Sequence, residues 1–268
     1  MAVIFHPSTE ATMHRSAFWY RILVISFAAA LSGFLTLPAS AGSKKLVLTA
    51  ADGYRISALL TVPGTIPETS GVVLIHMYRH GKESWAPLAG ELAARGITSL
   101  AIDLRGHGES RTAPDGSDSS ARVLDRDPEF FNSMHLDAAA ALNYLEEERG
   151  LPAQRTALAG ASVGCSIAIR TAIEHPVAGV VVMTPGRDYL GIPTMEHVEK
   201  WPGTPLLILT SEEEAGRGAN DLYAVLKNRD AELMVFDQEG IHGTNMFGEV
   251  DGVERIIADW LSAVFERK

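Results

Sequence analysis

Thr156-Ala157-Leu158-Ala159-Gly160-Ala161-Ser162-Val163-Gly164-Cys165-Ser166-Ile167-Ala168-Ile169 is the stretch that decides the fold. Residues 156–159 are short and apolar, as a strand buried on both faces requires. Residues 163–175 read as a helix. Between them lies Gly160-Ala161-Ser162-Val163-Gly164, a G-x-S-x-G pentapeptide. A chain that passes from strand to helix in so few residues turns sharply, and small neighbours allow it. The turn pushes Ser162 out at the top of a sheet and the N-terminus of a helix. Unpaired N–H groups and a partial positive charge gather there. The bare pentapeptide arises by chance. Between a strand and a helix it marks Ser162 as a candidate nucleophile, with the Val163 N–H facing a developing oxyanion.

Outward from this point, strands and helices alternate. Strands are expected at 45–49 and 55–62, joined by the turn Asp52-Gly53, and at 71–76, 98–103, 178–184, 205–210 and 231–236. Helices are expected at 83–95, 128–149, 220–228 and 251–265, several stopped by glycine. Residues 112–127, rich in Asp, Ser, Gly and Pro, read as a surface loop. Repeated strand–helix–strand units predict an α/β fold: a mostly parallel sheet of about eight strands covered on both faces, with an antiparallel edge. Function in such sheets sits beyond the carboxyl ends of the strands.

A serine hydroxyl needs a base to take its proton. After the strand at 231–236 comes Asp237-Gln238-Glu239-Gly240-Ile241-His242-Gly243, which makes His242 the candidate base. His76 ends an early strand, His107 lies in a glycine turn, His135 and His175 are helical, and His197 is expected on the surface. An acid must orient the imidazole. Ser211-Glu212-Glu213-Glu214 follows the strand at 205–210 and Asp188 follows the preceding one, so Glu214, Glu213 and Asp188 are all candidates. The loop His76-Met77-Tyr78-Arg79-His80-Gly81 offers a second oxyanion N–H, from Tyr78 or Met77.

The N-terminus is a separate object. Arg15 and Arg21 precede an apolar run over 22–37, followed by Pro38-Ala39-Ser40-Ala41. This pattern predicts a secretory signal peptide, residues 1–41, with Met13 as an alternative start. The expectation is an exported protein, periplasmic or extracellular, with residues 42–268 as one domain and no stable membrane insertion once the signal is removed. An uncleaved anchor is the alternative. A net charge of −10 over 268 residues gives no basic footprint for nucleic acid. A single cysteine, Cys165, forms no internal disulfide and no Cys-based zinc site, and its neighbours place it in a packed helix.

Four stretches carry a resemblance: Val73-Leu74-Ile75-His76 with Glu83-Ser84-Trp85; Ile102-Asp103-Leu104-Arg105-Gly106-His107-Gly108-Glu109-Ser110; Ala159-Gly160-Ala161-Ser162-Val163-Gly164; and Gly240-Ile241-His242-Gly243. Together they resemble the α/β-hydrolase superfamily, in its esterase and dienelactone-hydrolase-like branch, over residues 45–268. The resemblance implies Ser162 as nucleophile, His242 as base, Glu214 as acid, and oxyanion N–H groups from Val163 and Tyr78. It implies that the Asp-x-Arg-Gly-His-Gly-x-Ser stretch is structural. It also implies hydrolysis of a small-molecule ester through an acyl-enzyme, with no metal or organic cofactor. The interval 185–203 is too short for a large cap; Tyr189, Leu190, Ile192 and Met195 either line the pocket or pack that segment down. Met246-Phe247 is a further candidate border. A thioesterase or a peptidase with the same triad, or a binding protein with a dead site, are the alternatives.

Overall fold

The computed structural model describes residues 42–267, and the expected signal segment lies outside them. Two strands come first, β1 (Gly42–Thr49) and β2 (Arg55–Val62), paired antiparallel. Then follow β3 (Ser70–Ile75), a 3-10 turn over Lys82–Trp85, α1 (Ala86–Ala93), β4 (Ile97–Ile102), α2 (Ser120–Leu124), α3 (Pro128–Ser133) and α4 (His135–Glu147). The second half carries β5 (Thr156–Ala161), α5 (Val163–Glu174), β6 (Gly179–Met183), α6 (Thr194–Glu199), β7 (Leu206–Ser211), α7 (Glu212–Ala215), α8 (Ala219–Leu226), β8 (Ala231–Phe236) and α9 (Val253–Glu266).

The strands form one 8-stranded sheet in the order β1-β2-β4-β3-β5-β6-β7-β8. β2 runs against both its neighbours, and all pairings from β4 to β8 are parallel. The chain steps from β3 to β4 in one direction and then returns to place β5 on the other side of β3. The carboxyl ends of β3 and β5 therefore flank the point where strand order reverses, where α/β sheets hold their ligands.

The continuous apolar runs reflect burial on both faces. Val180, Val182, Leu206 and Ile208 face a layer containing α4, α5 and α8, with Leu145, Ile167 and Leu222. Val181, Leu207 and Leu209 face the other way, onto Leu88 and Leu92 of α1 and Ile257 and Leu261 of α9. Alternate residues of a strand point to opposite faces, so both sets must be apolar.

The long helix expected over 128–149 is two helices. The Asn132 carbonyl is taken by Arg170 Nη1 at 2.6 Å and faces His135 Nδ1 at 2.8 Å, and Ser133 Oγ donates to the Phe130 carbonyl at 2.7 Å. Side chains claim carbonyls that a continuous helix would need, and the axis breaks at Met134. The expected surface loop over 112–127 contains the short helix α2. The interval after β6 holds only α6 and a tight turn, so there is no large cap. Ile192 is buried, and Tyr189, Leu190 and Met195 pack against the core. His197 is half-buried rather than a surface group.

Candidate active site

The turn at Ser162 is as sharp as the pentapeptide demands. Ser162 has φ 53° and ψ −119°, a left-handed conformation that costs a non-glycine residue about 1–3 kcal/mol. A Cβ on Gly160 would lie 2.1 Å from the Gly164 carbonyl oxygen. A Cβ on Gly164 would lie 2.3 Å from the Ile75 carbonyl oxygen, at the end of β3. Both glycines let backbone approach backbone, and the Ser162 N–H donates to the Met183 carbonyl at 2.9 Å. Behind the serine, Cys165 is buried and its Sγ lies 3.2 Å from the carbonyls of both Gly160 and Met183. Burial pushes this thiol well above its ordinary pKa, as suits a packed core thiol rather than a nucleophile.

His242 arrives at the same rim. Gly243, the residue after it, has φ 55°; a Cβ there would lie 2.8 Å from Met77 Sδ and 3.2 Å from Ala161 Cβ. The residue that follows the histidine thus touches the residue that precedes the serine. The Gly243 N–H donates to Thr184 Oγ1 at 3.0 Å, and the Thr184 N–H donates to the Leu209 carbonyl at 2.7 Å. Thr184, itself at φ 58° and fully buried, fastens the histidine loop to the ends of β6 and β7.

The three candidate acids separate cleanly. Glu214 Oε2 lies 3.5 Å from His242 Nδ1, and its other oxygen lies 3.3 Å from Arg217 Nη1. That 3.5 Å is longer than a formed hydrogen bond, and Glu214 Oε2 is buried with no hydrogen-bond partner. Such contacts commonly tighten only in the reacting complex. Glu213 instead accepts the Gly240 N–H at 2.7 Å and braces the histidine loop from outside. Asp188 is exposed and accepts the Gly191 N–H at 3.0 Å, closing its own turn.

The two oxyanion candidates stand on either side of the strand-order reversal. Val163 opens α5, and Tyr78 follows β3. Among the described residues neither amide has a backbone acceptor. His76 is a strut. It accepts the Leu104 N–H at Nε2 (3.0 Å), which puts its proton on Nδ1, 2.8 Å from the Met77 carbonyl. Burial, then the neighbouring His107, lowers its pKa to about 3, so it stays neutral. Two further residues complete the site: Thr184, which the sequence reading missed, and Tyr189, which it offered as a lining residue without a partner. The role of Thr184 depends on a hydrogen bond to a residue far along the chain. The ring of Tyr189 stands edge-on to His242 with centroids 6.4 Å apart. Its hydroxyl donates to the Thr184 carbonyl at 3.2 Å. Burial raises the Tyr189 pKa, and the nearby Ser162 hydroxyl offsets part of that shift. Met246 is fully buried and Phe247 stacks edge-on against Trp85 at 5.7 Å, so this pair packs beneath the loop.

The Asp-x-Arg-Gly-His-Gly-x-Ser stretch forms a separate polar cluster at the same rim. Asp103 accepts from the Lys82 N–H (2.8 Å), Lys82 Nζ (2.6 Å) and the Glu109 N–H (2.9 Å). Arg105 meets Asp137 through Nε (2.9 Å) and Nη2 (2.6 Å) and lies over the Tyr54 ring at 4.3 Å. Among the described residues no cluster of three or more His, Cys, Asp or Glu side chains could hold a metal ion, and no helix is long and apolar enough to cross a membrane.

Comparison with solved structures returns the same architecture. A Pyrococcus furiosus esterase aligns with a TM-score of 0.65 at 18% identity, covering 84% of this chain and 92% of that one. A thermostable carboxyl esterase from Bacillus coagulans gives 0.65 at 14% identity, covering 84% and 99%. A dienelactone hydrolase from Anabaena variabilis gives 0.59 at 16% identity, covering 84% and 97%. No curated protein matches. These identities establish shared fold alone. The family model described as the alpha/beta hydrolase family matches residues 72–264, well over half of the sequence, and this chain belongs to that family.

Proposed function

We propose that this protein hydrolyses carboxylic esters of small molecules, with Ser162 as nucleophile, His242 as general base and Glu214 as the acid that orients the imidazole. The observation that carries the reading is the meeting of three strand ends: Ala161 beside Gly243, and Glu214 3.5 Å from His242 Nδ1. Ser162 Oγ attacks the ester carbonyl while His242 Nε2 takes its proton. The carbonyl oxygen becomes an oxyanion held by the Val163 and Tyr78 N–H groups, at the positive end of α5. His242 then protonates the departing alcohol, leaving an acyl-serine. Water repeats the sequence and releases the acid. Glu214, with little water around it, stabilises the imidazolium that forms in each half.

The test is labelling by a fluorophosphonate probe, paired with turnover of a chain-length series of p-nitrophenyl esters. The expected result is a covalent adduct on Ser162 and its loss in Ser162→Ala. A protein that neither reacts with the probe nor turns over any ester is a binding module on this fold. A panel of matched ester, thioester and amide substrates separates an esterase from a thioesterase or peptidase with the same triad. The proposal extends to location: residues 1–41 direct export, and N-terminal sequencing of protein recovered outside the cytosol should begin at Gly42.

A further inference from the structure

Beyond Tyr78 the chain continues as Arg79-His80, and these two residues form one wall of a depression of about 340 Å³. His107, Arg111, Val123 and Leu124 contribute to the remainder, and no carboxylate lines it. Neither Arg79 nor Arg111 joins an ion pair among the described residues. Arg126, 5.7 Å from the centre of the Tyr78 ring, has no carboxylate partner there either. Arg55, Arg155, Arg229 and Arg255 likewise join no ion pair among the described residues; what marks the depression is that two such arginines line it together and no carboxylate does. Arg95, Arg105, Arg122, Arg149 and Arg187 all meet carboxylates. Lys82 binds Asp103 and Glu109, and Arg122 binds Asp127, whereas Asp125, next to Leu124, is exposed and joins no ion pair among the described residues. Asp118 attracts Arg111 only at a distance and accepts the Ser120 N–H at 2.8 Å. Beneath the depression lies His107, 4% exposed, with an Nε2 that has no hydrogen-bond partner.

The depression adjoins the reaction centre through Tyr78. The Tyr78 amide is the candidate oxyanion donor; its ring is 6.4 Å from His107 and its hydroxyl donates to the Val123 carbonyl at 3.3 Å. On the other side Met77 touches Gly243. Desolvation and the nearby His242 both lower the His80 pKa, so the positive charge at neutral pH comes from the arginines. Leu124, 63% exposed, adds apolar surface at the edge. Cationic forks beside an aliphatic rim match a short alkyl chain that ends in a carboxylate.

We infer that this depression is an anion subsite and that the preferred substrates are esters carrying a free carboxylate, such as monoesters of short dicarboxylic acids. The inference rests on Ser162 being the reacting residue. The experiment compares kcat/KM for 4-nitrophenyl hydrogen glutarate with that for the neutral 4-nitrophenyl valerate. The acidic ester is expected to lead by about tenfold or more at low salt, as a charge-assisted pair warrants. In the Arg79→Ala, Arg111→Ala double variant the ratio falls about tenfold, and about 0.5 M salt compresses the wild-type ratio. A wild-type preference for the neutral ester, or a ratio that the double variant leaves unchanged, overturns the subsite. Calorimetric binding of glutarate to wild type and double variant reads the subsite without turnover. Binding to the wild type that weakens in the variant supports it, and equal or absent binding overturns it. A protein that binds glutarate in this way but resists the fluorophosphonate keeps the subsite and loses the Ser162 reading.

Discussion

Two polar clusters share the carboxyl rim of the sheet, and they differ in how completely their groups are paired. In the Asp103–Lys82–Glu109 cluster the buried charges are matched: Asp103 accepts three hydrogen bonds and Lys82 meets two carboxylates besides Glu83. Burial alone would lower the Lys82 pKa, yet the bonds it donates to Asp103 and Glu109 raise it above its ordinary value. Around Ser162, His242 and Glu214, among the described residues, Glu214 Oε2 has no hydrogen-bond partner, the Val163 and Tyr78 amides have no backbone acceptor, and Ser162 is strained. A saturated cluster holds a loop in place. Under the proposed mechanism, the unsaturated one is poised for groups that appear only during reaction.

The sharpest way to break this contrast is to exchange the consequences. Ser162→Ala should lower turnover of p-nitrophenyl butyrate about 10⁴-fold or more while leaving the melting temperature unchanged or higher. A large fall in stability would make Ser162 structural. Asp103→Ala should do the reverse, leaving Lys82 buried without its main partner. The expected cost is about 3–5 kcal/mol in urea unfolding, and a cost near zero would remove the contrast.

Between these extremes sits Thr184, the residue that fastens the histidine loop. Thr184→Val keeps the shape but strands the Gly243 N–H. It should lower kcat about 10–100-fold with little change in KM, and Thr184→Ser should restore most of it. Wild-type kcat in Thr184→Val, with a loss in Thr184→Ser, would mean that shape matters rather than the hydroxyl. The smallest effect concerns acid. Lys45, Lys82 and Ser57 hold the Glu109 carboxyl at about 2, below the ordinary 4.5. A depressed carboxylate pKa adds stability that is complete above about pH 4.5 and fades as pH falls toward 2. The difference in urea midpoint between wild type and Glu109→Gln should therefore narrow from pH 5 to pH 3.

The continuous apolar runs and the chain order of serine, acid and histidine candidates were legible because they depend on neighbours along the chain. A strand buried on both faces must be apolar throughout, and a tight strand-to-helix turn must have glycines at fixed offsets; Gly160 and Gly164 stand where a Cβ would strike backbone. The break at Met134 was not legible, because it depends on Arg170 reaching the Asn132 carbonyl from another helix.

The sequence by itself determined the layered α/β architecture and a short set of candidates at its strand ends. The resemblance pointed to Glu214, but chain pattern left Glu213 and Asp188 open, since all three follow strands and carry the same charge. Only the tertiary structure brought one carboxylate to 3.5 Å from His242, turned another to the Gly240 N–H and left the third on the surface. Chain pattern encodes which faces are buried; the distance between two side chains on different strands depends on how those strands are stacked.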